Sequence, residues 1–121
     1  MKRRTLKQTR SKTAAQTHHS VYVVELAPAV ARLRRVRTLN PDRDPSKPCV
    51  YVGMTGLTLE ARFLNHKNGT KASYYVKRFG RGFLPDLYAH LNPMPYEQAC
   101  VMERDLAEDL RRAGYTVTGG H

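Results

Sequence analysis

Residues 96 to about 113 carry a helical apolar repeat. At about 3.6 residues per turn, Ala99, Met102, Leu106, Ala107 and Leu110 share one face. Glu103 falls in the middle of that face, whereas Arg104, Asp105, Glu108, Arg111 and Arg112 lie elsewhere. A carboxylate inside an apolar stripe costs free energy unless it is paired or binds a cation. Glu103 therefore either closes a buried salt bridge, with an arginine on a neighbouring helix, or is a metal ligand at the floor of a cleft. A second anomaly lies upstream. Leu59, Arg62, Phe63 and His66 share a face by their i, i+3 and i+4 spacing. Arginine is shaped to grip phosphate oxygens, and histidine can move a proton near neutral pH. Singly, an arginine lying along Phe63 and a histidine satisfied at the core edge would be ordinary. Next to a misplaced Glu103 they read as a site.

Two tyrosines stand on strands in front of these helices. Tyr22 shares a face with Val24 and Leu26, and Tyr51 shares one with Cys49 and Gly53. A strand tyrosine is most often packing. Gly53 permits close backbone approach to a ligand just before the helix that carries Arg62.

The elements that must position these residues follow from local signals. Val21–Leu26 and Cys49–Gly53 are β-branched and aromatic runs, stopped by Ala27-Pro28 and by Gly53. Thr58 is a helix N-cap, the helix runs from Leu59 to about Lys67, and Asn68-Gly69 ends it. A short helix is expected over Ala72–Phe79, closed by Gly80, and a third strand over Phe83–Leu91, confined to an edge by Pro85. Asn92-Pro93-Met94-Pro95 is a connector, and Gly114 stops the long helix. Tyr115–Thr118 offers a short final strand. Together these predict an α+β domain with a small, mainly antiparallel three-stranded sheet flanked by helices. Residues 1–19 read as a basic disordered arm, and about 20–121 as the single folded domain. The segment of about 27–48 reads as a basic insertion, either a short helix or a ragged strand extension in its first part.

The chain has 121 residues, a formal net charge of +11 and a sequence pI of about 10.1. That excess favours an anionic partner, with nucleic acid ahead of an anionic membrane surface. Arg32, Arg34, Arg35, Arg37 and Lys67 are the candidate phosphate contacts. No apolar run is long enough to cross a membrane, and the basic N-terminus has no apolar stretch behind it. An intracellular, cytoplasmic location without a membrane partner is expected. Cys49 and Cys100 form no metal-ligand spacing, which disfavours zinc and fits a reducing compartment.

The order Val21-Tyr22-Val23, Tyr51-Val52-Gly53, Arg62 and His66 on the next helix, then Glu103 on a later one, resembles the GIY-YIG nucleases. The closest stretches are Tyr51-Val52-Gly53-Met54-Thr55-Gly56 and Arg62-Phe63-Leu64-Asn65-His66. The resemblance implies phosphodiester hydrolysis in DNA with one divalent cation, Mg²⁺ or Mn²⁺, held by Glu103. It implies that Arg62 binds the scissile phosphate. It further implies that Tyr22 positions or deprotonates the attacking water, that Tyr51 orients the site, and that His66 assists as base or phosphate contact. Three features depart from the family pattern. The segment Ala27–Pro48 separates the tyrosine motifs, Ser20-Val21 replaces the usual flank of the first tyrosine, and no Asn follows Asn92. His121 is a candidate to close the site in place of that Asn. A nucleic-acid-binding module of the same fold that does not cut, and a small basic RNA-associated protein with core tyrosines, are the alternatives. DNA is favoured over RNA, and the oligomeric state stays open.

Overall fold

A computed structural model describes residues 17–69 and 73–120. Four strands form one mixed sheet in the order β3-β1-β2-β4: β1 (Ser20–Leu26), β2 (Cys49–Thr55), β3 (Gly80–Phe83) and β4 (Thr116–Gly119). The helices are α1 (Arg34–Leu39), α2 (Leu59–Asn68), α3 (Tyr74–Phe79) and α4 (Tyr96–Arg112). The α+β class is as expected, but the sheet has four strands rather than three, and β4 runs parallel to β2.

β1 and β2 pair antiparallel with Tyr22 opposite Gly53 and Val24 opposite Tyr51. β1 is central, and its Val21, Tyr22, Val23, Val24 and Leu26 are all buried. A strand covered on both faces needs such a run. α4 packs across β1, β2 and β4 and buries Ala99, Leu106, Ala107 and Leu110 together with Glu103. Thr58 caps α2 by accepting a hydrogen bond from the Ala61 amide at 3.1 Å, and Gly69 ends it in the left-handed conformation (φ 86°).

The third strand lies earlier than the sequence suggests. β3 is Gly80–Phe83, whereas residues 84–91 form two 3₁₀ turns, Pro85–Leu87 and Ala89–Leu91. Pro85 has no N–H for a ladder and opens the first turn instead, with its fixed φ suited to that position. The basic segment is a folded part of the body. It holds a 3₁₀ turn at Pro28–Arg32 and then α1. Behind α1, Asn40 is 1 % exposed and uses both ends of its carboxamide. Its Nδ2 donates to the Val36 and Val117 carbonyls (2.8 and 3.0 Å), and its Oδ1 accepts from the Val117 amide and from Arg111 Nε (2.9 and 3.2 Å). Asn40 thus satisfies the outer edge of β4, which would otherwise be an open strand edge.

At the other end, Asn92 imitates a strand neighbour. Its Oδ1 accepts from the Val21 amide (2.9 Å), and its Nδ2 donates to the Val21 carbonyl (2.7 Å). His19 exchanges backbone hydrogen bonds with Met94, so the folded body begins before the expected boundary at residue 20. The rest of the basic arm, residues 1–16, lies outside the described residues, as does His121. Among the described residues, no helix is long and apolar enough to cross a membrane.

Candidate active site

Tyr22, Tyr51 and His66 come together, with the charges of Arg62 and Glu103 acting on both phenols. Register places Tyr22 over Gly53 and puts Tyr51 diagonally across on the same face of the sheet. The Tyr22 and Tyr51 ring centroids are 6.2 Å apart, and the His66 ring lies 6.1 Å from the first and 5.6 Å from the second. Glycine at 53 makes this possible. A Cβ there would stand 2.6 Å from Tyr22 Cζ and Oη and 2.9 Å from Tyr51 Cε1. Gly119 on β4 (φ 74°) gives Tyr51 the same freedom on its other edge, where a Cβ would stand 2.8 Å from Cε2. Gly53 therefore makes room for two tyrosine rings rather than for a ligand.

His66 is fully buried, and its hydrogen bonds define its tautomer. The Ser73 amide donates to His66 Nδ1 at 3.0 Å. An amide can only donate, so Nδ1 carries a lone pair and the ring proton sits on Nε2. Nε2–H then donates to Tyr22 Oη, 2.8 Å away. Burial, reinforced by the Arg62 charge, pushes the His66 pKa down to about 4, so the ring is neutral. Both ring nitrogens are engaged and the ring does not reach the surface. This pair of hydrogen bonds fixes the ring against Tyr22.

Tyr22 is 1 % exposed, and burial pushes its pKa well above the ordinary tyrosine range. The neighbouring Tyr51 and Glu103 push the same way, and a hydrogen bond and the charge from Arg62 oppose them. A phenol held neutral cannot take a proton from water. Because Tyr22 Oη already accepts from His66, its own proton is available to donate. Tyr51 is also raised by burial and by Glu103, and opposed by Arg62 and by a side-chain hydrogen bond with Ser73. Arg62 and Glu103 thus act on the same two phenols from opposite signs of charge.

Glu103 is 7 % exposed, and burial pushes its pKa up to about 7, against the positive charge of Arg104. This carboxyl titrates near neutrality, and a divalent cation would displace its proton and relieve the desolvation. The donor set suits Mg²⁺ or Mn²⁺ held by one carboxylate, with waters and substrate oxygens completing the shell. Among the described residues, no group of three or more His, Cys, Asp or Glu side chains assembles around a cation. Cys49 is buried and Cys100 half-buried, and both are free.

Ser73 is the residue that sequence reasoning missed. It caps α3 by accepting from the Tyr75 amide (3.2 Å), and it also holds His66 through its amide. The polar cap position ahead of Tyr74 was its only sequence signal. Lys67 is exposed, but its ammonium donates to the Lys77 and Gly80 carbonyls at the end of α3 (3.3 and 3.2 Å). These contacts place its head group at the end of α3. Arg32, Arg34, Arg35 and Arg37 are exposed on the 28–39 segment, outside the tyrosine cluster. Comparison with protein-family models, with curated proteins and with solved structures finds no match for this chain.

Proposed function

We propose that this protein is a metal-dependent phosphodiesterase. Within that class, the residue order favours a GIY-YIG-type endonuclease acting on DNA with Mg²⁺ or Mn²⁺. The observation that carries the reading is the buried Glu103 carboxyl, raised to about 7, set against the same two tyrosines that face Arg62. Mere packing does not need an acid there, and the desolvation it suffers is what a cation would relieve.

In hydrolysis a water oxygen bonds to phosphorus as a phosphorus–oxygen ester bond breaks, and negative charge builds on the phosphoryl oxygens. Arg62 is the residue that offsets this charge, with its fork of donors in a partly dry site. Tyr22 donates a hydrogen bond toward a phosphoryl oxygen, its own oxygen held in place by His66 Nε2–H. Tyr51, fixed by the glycines on either side, walls the cleft. Glu103 would hold the cation, which would supply Lewis acidity and a water of lowered pKa.

A binding module that does not cut is the second reading, favoured by the arginine-rich 28–39 segment, which would grip DNA whether or not Glu103 is present. The two separate in a nicking assay on supercoiled plasmid and branched DNA with Mg²⁺ or Mn²⁺. Wild type should cut and Glu103→Ala and Arg62→Ala should not. If wild type binds DNA but cuts no substrate, the enzyme reading fails.

A further inference from the structure

A second cleft, of about 500 Å³, lies between the start of α1 and the start of α3, lined by Leu33, Arg34, Arg35, Tyr74 and Tyr75. Its size falls within the roughly 300–1,000 Å³ of small-ligand sites. No acidic side chain is among its lining residues, and the segment from Pro28 to Leu39 contains four arginines and no acid. Tyr74 is 57 % exposed, an unusual state for so large a ring. It is nonetheless held: its ring meets Tyr75 at 5.5 Å and Phe79 at 6.3 Å, both edge-on. A ring already fixed in place loses little entropy when something stacks on it.

We propose that this cleft seats one unpaired nucleotide, with its base stacked on Tyr74 and its phosphate gripped by Arg34 and Arg35. Arginines alone would suit a duplex backbone equally well. The exposed tyrosine would not, because bases within a duplex already cover one another's faces; stacking on a side chain calls for a free base. The cleft adjoins the candidate active site through the chain itself. Tyr74 directly follows Ser73, whose amide holds His66. A strand entering the active site thus meets an aromatic platform beside it. This deepens the nuclease reading, on which it rests, by naming its substrate class: DNA with a single-stranded segment at the point of cleavage, such as a flap or branch.

The chain contains no tryptophan, so Tyr74→Trp places a single fluorescent reporter on the platform. The full-length variant is titrated in EDTA with an oligothymidylate of roughly 12 nucleotides, within the ~4–16 that such grooves cover, and with an abasic strand of the same length. Oligothymidylate should quench the tryptophan, and the abasic strand should not. Tyr74→Ala should weaken oligothymidylate binding about tenfold, the low-to-middle range for one stacked base, while leaving blunt-duplex affinity within about twofold. Arg34→Gln/Arg35→Gln should weaken both. Equal binding of thymidylate and abasic strands without quenching would overturn the proposal, as would equal losses on single strand and duplex. EDTA separates the two readings. Base-dependent quenching by a protein that cuts nothing refutes the nuclease and keeps the platform, whereas cutting without such quenching refutes the platform alone.

Discussion

Replacing Gly53 by alanine inserts one methyl group between Tyr22 and Tyr51. The added Cβ would lie 2.6 Å from Tyr22 Cζ and Oη, so the ring must retreat by roughly 1 Å to reach ordinary contact. Overpacking of this kind costs about 1–3 kcal/mol, and alanine returns about 0.4–1 kcal/mol by restricting the unfolded chain. Displacing Tyr22 also breaks its 2.8 Å hydrogen bond with His66, worth about 1 kcal/mol. The net loss is about 2 kcal/mol, or a fall in melting temperature of roughly 8 °C for a domain of this size. Gly82→Ala is the matched control: it also lies on a strand of this sheet, and a Cβ there meets no atom within 4 Å. Its effect should stay within about 0.5 kcal/mol. Urea denaturation of both variants and wild type at one pH measures the difference. Equal stability of the two variants would refute the claim that Gly53 exists to let the tyrosine rings meet.

The same cluster should shape the pH dependence of stability. His66 is held down to about 4, so between about 4 and its unfolded value the unfolded chain binds the extra proton, and stability rises with pH. Glu103 is held up to about 7, so between its unfolded value and about 7 the folded chain binds the extra proton, and stability falls as pH rises. Each contribution is on the order of 3 kcal/mol, and they oppose each other across most of the acid range. In denaturation curves at stepped pH, Glu103→Gln should therefore become more acid-sensitive than wild type and more stable at pH 8, and His66→Asn should show the opposite slope. Parallel profiles for all three proteins would contradict both assignments. Asn40→Ala should lose about 3 kcal/mol or more, because it strands the buried Val117 amide and carbonyl; a loss below about 1 kcal/mol in urea titration would remove Asn40 as the lock on β4. DNA affinity should fall by roughly a thousandfold or more between about 50 and 200 mM salt if six or more phosphates are neutralised, and a flat response in anisotropy titrations would refute phosphate binding.

Local signals in the sequence located most of the fold. The Thr58 cap, the Gly69 stop and the α4 stripe each depend on neighbours within a turn, so they could be read from spacing. The parallel pairing of β4 with β2 could not: Thr116–Gly119 is short and its partner lies far upstream. β3 escaped because Gly80 and Gly82 carry no strand preference, and the aromatic and apolar residues beyond Pro85 mimic a strand while forming turns. The site was legible as a set of residues but not as a set of roles. Helical spacing alone puts Arg62 beside His66 and Glu103 among apolar residues. That the His66 Nδ1 lone pair is already engaged depends on Ser73, seven residues away across the end of a helix. That Lys67 reaches the carbonyls at the end of α3 could not be read from its charge, because that helix ends far along the chain from it. The basic 27–48 segment hid Asn40, three of whose four hydrogen bonds, to Val117 and Arg111, join elements far apart in the chain.

The central claim is that Glu103 is buried at the cost of its charge in order to hold a cation beside Arg62 and the two tyrosines. Single-turnover cleavage of branched DNA in Mg²⁺ or Mn²⁺, with wild type and Glu103→Gln at matched DNA occupancy, tests it most directly. Wild type should cut, and the variant should bind DNA within about twofold and cut roughly 10²-fold or more slowly. Equal cleavage rates, or no cleavage by wild type at saturating DNA and metal, would contradict it.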